Sequence, residues 1–333
     1  MSRIRLGTLL IPFFSTVAAC GGGGGSSTPI APSPIATTTQ IFSGTVTNII
    51  TDGKVSSAQI QVGSISTSTG ADGTYTLTVS GTGQQSFIAS AAGYHTRESS
   101  LSLTGSATVN LQLIPQGDGF TLTLFDHLFR DKGSTGTKRW TTQPTFEIWT
   151  QEFTCLELDT VYGDSACVKY QATGPAPAIF ETKVRDSIAK IGQLTGNALS
   201  GAPITMKTHP VGTSFLSNDW GTSVGTISFS YTTGLYGRNA ASASGLVNNK
   251  LHIDYGADVY TDATIHFHEL AHAVGFHHPD GSNNMPQPGI MGPHPYQWTS
   301  ADELLGGILY LRPFGTLTPD KDPANTVINC QGC

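Results

Sequence analysis

The chain has 333 residues, enough for two domains, and its 38% hydrophobic content suffices for packed cores. Only 12% of residues are charged and the net charge is −6, so the basic footprint of a nucleic-acid binder is excluded; abundant Gly, Ser and Thr suit an extracytoplasmic, β-rich protein. There is no run of 18 apolar residues, and no membrane-spanning helix is expected.

Residues 1–19 read as an export signal: Arg3 and Arg5, an apolar run from Leu6 to Phe14, then small residues. The ending Val17-Ala18-Ala19-Cys20 resembles a bacterial lipobox, which implies that Cys20 is lipidated and becomes the mature N-terminus. Cysteine arithmetic agrees, because setting Cys20 aside leaves an even set, Cys155, Cys167, Cys330 and Cys333. Ordinary cleavage after Ala19, giving a soluble secreted protein, is the other reading. Residues 20–40 form a tether, flexible through Gly21–Gly25 and stiffer at Pro29, Pro32 and Pro34. The lack of aspartate just after Cys20 resembles the outer-membrane sorting pattern of Gram-negative lipoproteins. The expected location is therefore the cell surface, with the membrane met only through the N-terminal lipid.

Residues 41–115 change to short alternating runs: Phe42–Thr47, Ala58–Val62, Tyr75–Val79, Phe87–Ala91 and Val109–Leu113. Period-two alternation bounded by Asp52-Gly53 and Asp72-Gly73 signals antiparallel strands and a small all-β sandwich. Ala71–Leu77 followed by Ala92-Gly93-Tyr94 resembles the carboxypeptidase regulatory-like (transthyretin-like) domain family, which implies a structural or binding accessory. No catalytic constellation lies within it.

Residues 117–333 read as a second domain. Thr145–Thr150 alternates as a strand, and Ala178–Leu194 places Phe180, Val184, Ile188 and Ile191 at helical spacing. Ile204–Lys207, Thr226–Ser230 and Leu251–Asp254 read as further strands. Asp262 is expected to cap the next helix, and Ser300-Ala301-Asp302-Glu303 to open a last one as a capping box, ending near Leu311 before Pro313. Cys155 and Cys167 are spaced to bridge a surface loop. Cys330 and Cys333 read as a structural disulfide, local or crossed with the other pair, since four cysteines allow three connectivities and no helix follows to lower a thiol pKa.

The chemistry gathers in His268-Glu269-Leu270-Ala271-His272-Ala273-Val274-Gly275-Phe276-His277-His278. His268 and His272 are four apart, so on a helix both imidazoles face one way and can reach a single metal ion. Glu269 lies one position further round, near enough to touch a metal-bound water without being a ligand. Gly275 tolerates the positive φ of a helix exit, and a sharp turn there can bring His278 back as a third nitrogen. Three protein ligands leave the fourth tetrahedral position to water, as in a catalytic zinc site.

This stretch resembles the His-Glu-x-x-His-x-x-Gly-x-x-His signature of the metzincin zinc metalloproteases. Gly289-Ile290-Met291-Gly292 is similar to that family's methionine turn. The resemblance implies an α+β fold with a mixed twisted sheet, an active-site helix, the Met-turn and a C-terminal helix, behind the N-terminal all-β sandwich. It implies one catalytic Zn2+ held by His268, His272 and His278, and its spacing selects His278 over the adjacent His277. Glu269 would be general base, Met291 an apolar floor and Gly275 the helix terminator. It also implies an antiparallel strand at the cleft edge, expected at Gly225–Tyr231, where an extended peptide substrate could add.

Some metzincins add a tyrosine ligand two residues after the methionine. Pro293 stands there, so Tyr296 is not expected to bind metal. His266 points to another helix face, and His252 and His294 are lone histidines. Latency through a propeptide cysteine is not available, because no cysteine lies between Cys20 and Cys155. The expected activity is a surface-anchored zinc endopeptidase. The other reading is a surface adhesin or binding lipoprotein whose sandwich recognises a ligand while the metalloprotease fold serves as scaffold.

Overall fold

Alternation decides the first part of the structure, because strands with every second residue apolar can bury one face against another sheet. The computed structural model describes residues 38–117, 120–130, 136–159, 163–221, 223–235, 238–240, 250–279, 289–313 and 315–322. The export signal, Cys20, most of the tether, Cys330 and Cys333 lie outside the described residues. The strands are β1 (Thr39–Asn48), β2 (Gln59–Val62), β3 (Ile65–Ser68), β4 (Thr74–Ser80), β5 (Gly83–Ser90), β6 (Arg97–Leu103), β7 (Ala107–Thr108) and β8 (Leu111–Leu113). One sheet has β1 between antiparallel β4 and parallel β7, with β8 also parallel to β1. The other runs β3-β2-β5-β6, all antiparallel.

In β4, Tyr75, Leu77 and Val79 are buried while Thr74, Thr76 and Thr78 are exposed. The inward residues meet Phe42, Val46, Ile60, Phe87 and Leu103 in one core. The turn into β4 needs glycine: Gly73 has φ +73°, and a Cβ there would lie 2.8 Å from the Val46 carbonyl oxygen. Strands β3 and β6 are absent from the sequence expectations because their serine-rich runs carry a weak apolar alternation.

The rest is mixed α+β, mostly sheet with few helices. Helix α1 (Leu122–Phe129) is capped by the Thr121 side chain. Its sequence alternates like a strand at first, but Leu124, Phe125, Leu128 and Phe129 share one buried helical face, and that burial decides the outcome. Strands β9 (Thr145–Asp159) and β10 (Gly163–Pro175) form a long hairpin crossed by the Cys155–Cys167 disulfide, with Cα atoms 5.8 Å apart. Then come α2 (Ala178–Ala189), α3 (Ile191–Leu194), β11 (Ile204–Lys207), β12 (Ser214–Leu216), β13 (Thr226–Thr233), β14 (Arg238–Ala240) and β15 (Leu251–Gly256). Helix α4 (Ala263–Ala273) and helix α5 (Ser300–Leu311) close the described fold.

The sheet order is β12-β10-β9-β13-β15-β14, with β11 also paired to β9. β11, β9, β13 and β15 are mutually parallel along this path, while β14 is antiparallel to β15. This corrects the expected edge strand. Thr226–Thr233 is interior, with both faces buried, and the antiparallel strand ending the sheet is the three-residue β14. A strand that short carries no readable periodicity.

Two boundaries also shift. The helix expected over 178–194 breaks at Lys190, two residues before Gly192, a poor helix former. The capping box of α5 is Thr299 with Asp302, one residue earlier than read.

One sheet face packs Ile227, Phe229, Tyr231, Ile253 and Tyr255 against the helices. The opposite face presents Ser228, Ser230, Thr232, His252 and Asp254, covered by Trp220 and Tyr170. From Thr38 onward the chain is one compact unit. Ile49 and Ile114 of the sandwich enter the same core as Phe120 and Phe125. Buried Arg97 of β6 donates to the Asp322 carbonyl, and the Asp322 carboxylate receives Arg312 at 2.6 and 2.7 Å.

Candidate metal centre

Helix α4 begins where Asp262 accepts a hydrogen bond from the Thr264 backbone N–H at 2.8 Å, satisfying one of the unpaired donors of the first turn. Burial alone would raise the Asp262 carboxyl, but hydrogen bonds from His294 and Thr264 outweigh it and hold it at about 2. The far end is closed by side chains from elsewhere. Trp140 Nε1 donates to the Ala273 carbonyl and the Tyr310 hydroxyl to the Val274 carbonyl, both at 2.8 Å. Gly275, at φ +120°, then turns the chain so that Phe276 N–H bonds back to the Ala271 carbonyl at 3.0 Å. The helix is therefore held at both ends, and its ring-bearing face is fixed between them.

Three imidazoles converge on that face. His268 Nδ1 is 2.6 Å from the Ile290 carbonyl oxygen, His272 Nδ1 is 2.7 Å from that of Phe276, and His278 Nδ1 is 3.4 Å from that of Met291. A carbonyl oxygen can only accept, so the tautomer with the hydrogen on Nδ1 and a lone pair on Nε2 satisfies all three rings, most tightly at His268 and His272. The Nε2 atoms of His268 and His278 each lie 3.1 Å from that of His272. A tetrahedral ion about 2.0–2.1 Å from its nitrogens would separate them by about 3.3 Å. Facing lone pairs this close repel unless a cation sits among them, so the donor set fits a metal ion. His268 is buried, His272 half-buried and His278 exposed, which leaves one side of the cluster open to solvent.

His268, His272 and His278 come together; His277 does not join them, and its backbone N–H bonds to the Leu128 carbonyl. Glu269, next to His268 on α4, is 2% exposed. Met291 is fully buried, in a single 3-10 turn spanning Gly289–Met291, and its backbone carbonyl faces His278 Nδ1. His266 is buried, bonded to the Tyr260 carbonyl and stacked on Tyr255, and burial lowers its pKa to about 4. His252 stacks on Trp220 on the far face of the sheet. His294 pairs with the helix-capping Asp262 at 2.9 Å. Residues 280–288 of the segment before the Met-turn lie outside the described residues.

Two features of the site were not expected. The Tyr296 ring lies flat on His268, with centroids 3.7 Å apart and planes 11° from parallel. Asp302 of α5, 1% exposed, accepts hydrogen bonds from the Thr299 N–H and hydroxyl at 2.8 Å and from the Ile290 N–H at 3.2 Å. The capping-box pattern placed Asp302 in the first turn of the last helix, but nothing in the sequence linked it to the metal site.

No family model matches the chain and none of the curated proteins does. Among solved structures, a type II cohesin–X-dockerin complex from Acetivibrio cellulolyticus overlaps 22% of this chain and 56% of that one, at 15% identity and a TM-score of 0.20. A protein of unknown function from Bacteroides fragilis NCTC 9343 overlaps 23% of this chain and 28% of that one, at 21% identity and a TM-score of 0.20. Overlaps this slight carry no functional argument, so function has to be argued from the site.

Proposed function

We propose that this protein is an exported zinc-dependent endopeptidase of metzincin type, anchored at the cell surface through lipidated Cys20. The observation that carries the reading is the convergence of three Nε2 atoms, each ring facing a backbone carbonyl through Nδ1, beside a helix that also carries the buried Glu269. Ligating histidines oriented through their second nitrogen are the usual dress of a metal site. The parallel β9, β13 and β15 with antiparallel β14 at the edge give further support, since that order suits the family the motif resembles.

His268, His272 and His278 would hold the ion. When bound, zinc supplies a Lewis acid for the scissile carbonyl and acidifies water towards neutrality. Glu269 accepts a proton from the attacking water at its carboxylate and returns it to the leaving amine nitrogen. Its near-complete burial limits competition from bulk water for that proton. An extended peptide pairs with the outer edge of β14, the last strand of the sheet among those described. The exposed side of His278 is where substrate enters.

The test is metal content together with cleavage of a broad peptide library by the purified protein. Wild type and Glu269→Gln are run side by side, with and without a chelator. One zinc per chain, with cleavage lost in the variant while zinc is retained, is the expected result. Cleavage retained in Glu269→Gln refutes the assignment of the base, and a chain without zinc refutes the whole reading. Zinc with no cleavage by wild type moves the weight to a binding lipoprotein.

A further inference from the structure

The three ring-orienting carbonyls differ in what holds them. That of Phe276 follows directly from the exit of α4 and stands four residues from His272. Those serving His268 and His278 come from the 3-10 turn, 22 and 13 residues away in sequence. One turn of 3-10 helix has too few internal hydrogen bonds to fix its own position, so the accuracy of two ligands depends on what braces the turn.

The brace is Asp302. Both of its carboxylate oxygens lie 3.2 Å from Ile290 N, and Oδ2 also receives the Thr299 N–H and hydroxyl. Gly289, at φ +61°, lies directly against the carboxylate: a Cβ there would come within 2.0 Å of Oδ2. Ile290 thus gives its N–H to Asp302 and its carbonyl oxygen to the Nδ1–H of His268. A carboxylate that reaches a ligating histidine through one residue of backbone has the logic of a direct carboxylate–histidine–metal arrangement, with a residue interposed. The same carboxylate ties α5 to the turn, so the orientation of His268 is coupled to the start of the last helix. The stacked Tyr296 covers the face of the ring, while Ile290 fixes its edge.

We infer that Asp302 is a positioning residue of the metal centre, acting through Ile290 to hold His268 in the geometry that binds metal. The inference rests on the metal reading above. Two kinds of variant test it from either side of the contact: Asp302→Ala and Asp302→Asn remove or weaken the acceptor, and Gly289→Ala pushes the turn off it. Asp322→Asn is the control, because Asp322 is as deeply buried and well bonded, to Arg312, but does not touch the turn. The readouts are zinc dissociation constant, by competition with a chromophoric chelator, and the visible spectrum of the cobalt-substituted protein.

Loss of zinc affinity by about 10–100-fold in the Asp302 and Gly289 variants is expected, with a shifted cobalt spectrum. The control should keep wild-type affinity and spectrum even where its melting temperature falls. A wild-type zinc constant and cobalt spectrum in Asp302→Asn and Gly289→Ala overturn the inference while leaving the metal site intact. A wild-type chain that binds no zinc refutes the earlier reading instead. Should Asp302→Ala fail to fold, the other two variants decide.

Discussion

Replacing Asp254 with asparagine should change stability in a pH-dependent way whose size can be worked out. Asp254 is fully buried on the covered face of β15; its Oδ1 accepts hydrogen bonds from the Ser230 and Thr232 hydroxyls at 2.6 Å. His252 links Ser228 and Ser230 through its two ring nitrogens, at 2.7 and 3.0 Å. Burial pushes the Asp254 carboxyl from 3.8 up to about 6, against the hydrogen bonds from Ser230, Thr232 and Tyr170. Holding it ionised in the folded protein therefore costs about 3 kcal/mol relative to the unfolded chain. Because the folded pKa is raised, its stabilising contribution is fully present below about pH 4 and is lost as pH rises through 6.

His252 runs the other way, since burial lowers it to about 3, and its contribution is lost as pH falls towards that value. That effect is common to both proteins and cancels in their difference. An asparagine amide keeps the acceptor for Ser230 and Thr232 but has no charge to bury. The wild type should gain on the variant by about 1.4 kcal/mol between pH 8 and pH 5, whatever constant offset the amide introduces. Urea melts of both proteins at the two pH values measure this. A difference that does not move between them refutes the burial argument.

Two further outcomes concern the ends of α4. Tyr310→Phe leaves the buried Val274 carbonyl without its donor and should lower stability by about 1–3 kcal/mol, while zinc content by metal analysis stays at wild-type level. Asp262→Ala removes the helix cap and should cost about 1 kcal/mol at neutral pH, measured by thermal melting. The Asp262 carboxyl is held down at about 2, so its contribution is present above about pH 4 and fades as pH falls through 2. The variant's deficit should therefore shrink on acidification.

What could be read in the sequence was local and periodic. Tyr75, Leu77 and Val79 alternate, Phe180, Val184 and Ile188 recur at helical spacing, and Ser300–Leu311 is bounded by cap and proline. The histidines were legible for the same reason: four residues apart on a helix means one face. Helix α1 was missed because its first residues alternate, and only burial against Phe276 and its neighbours selects the helix. The hydroxyl-rich face of β13 reads as an exposed surface until the β9–β10 side of the domain covers it.

The parts of the site that stayed hidden share one cause. The atoms that orient His268, His272 and His278 are backbone carbonyls of Ile290, Phe276 and Met291, and every residue type has a carbonyl. Sequence can name a ligand but not the peptide that aims it. Constraint therefore falls on neighbours whose side chains make that peptide's position attainable. Gly289 is needed because no other residue leaves room for the Asp302 carboxylate, and Asp302 because Ile290 N–H needs a buried acceptor. Ile290 contributes to metal orientation through its backbone alone, so Ile290→Val should disturb core packing by about 0.5–1.5 kcal/mol and leave metal affinity unchanged. Gly289→Ala, also outside the ligand set, should strain the turn and lower metal affinity together.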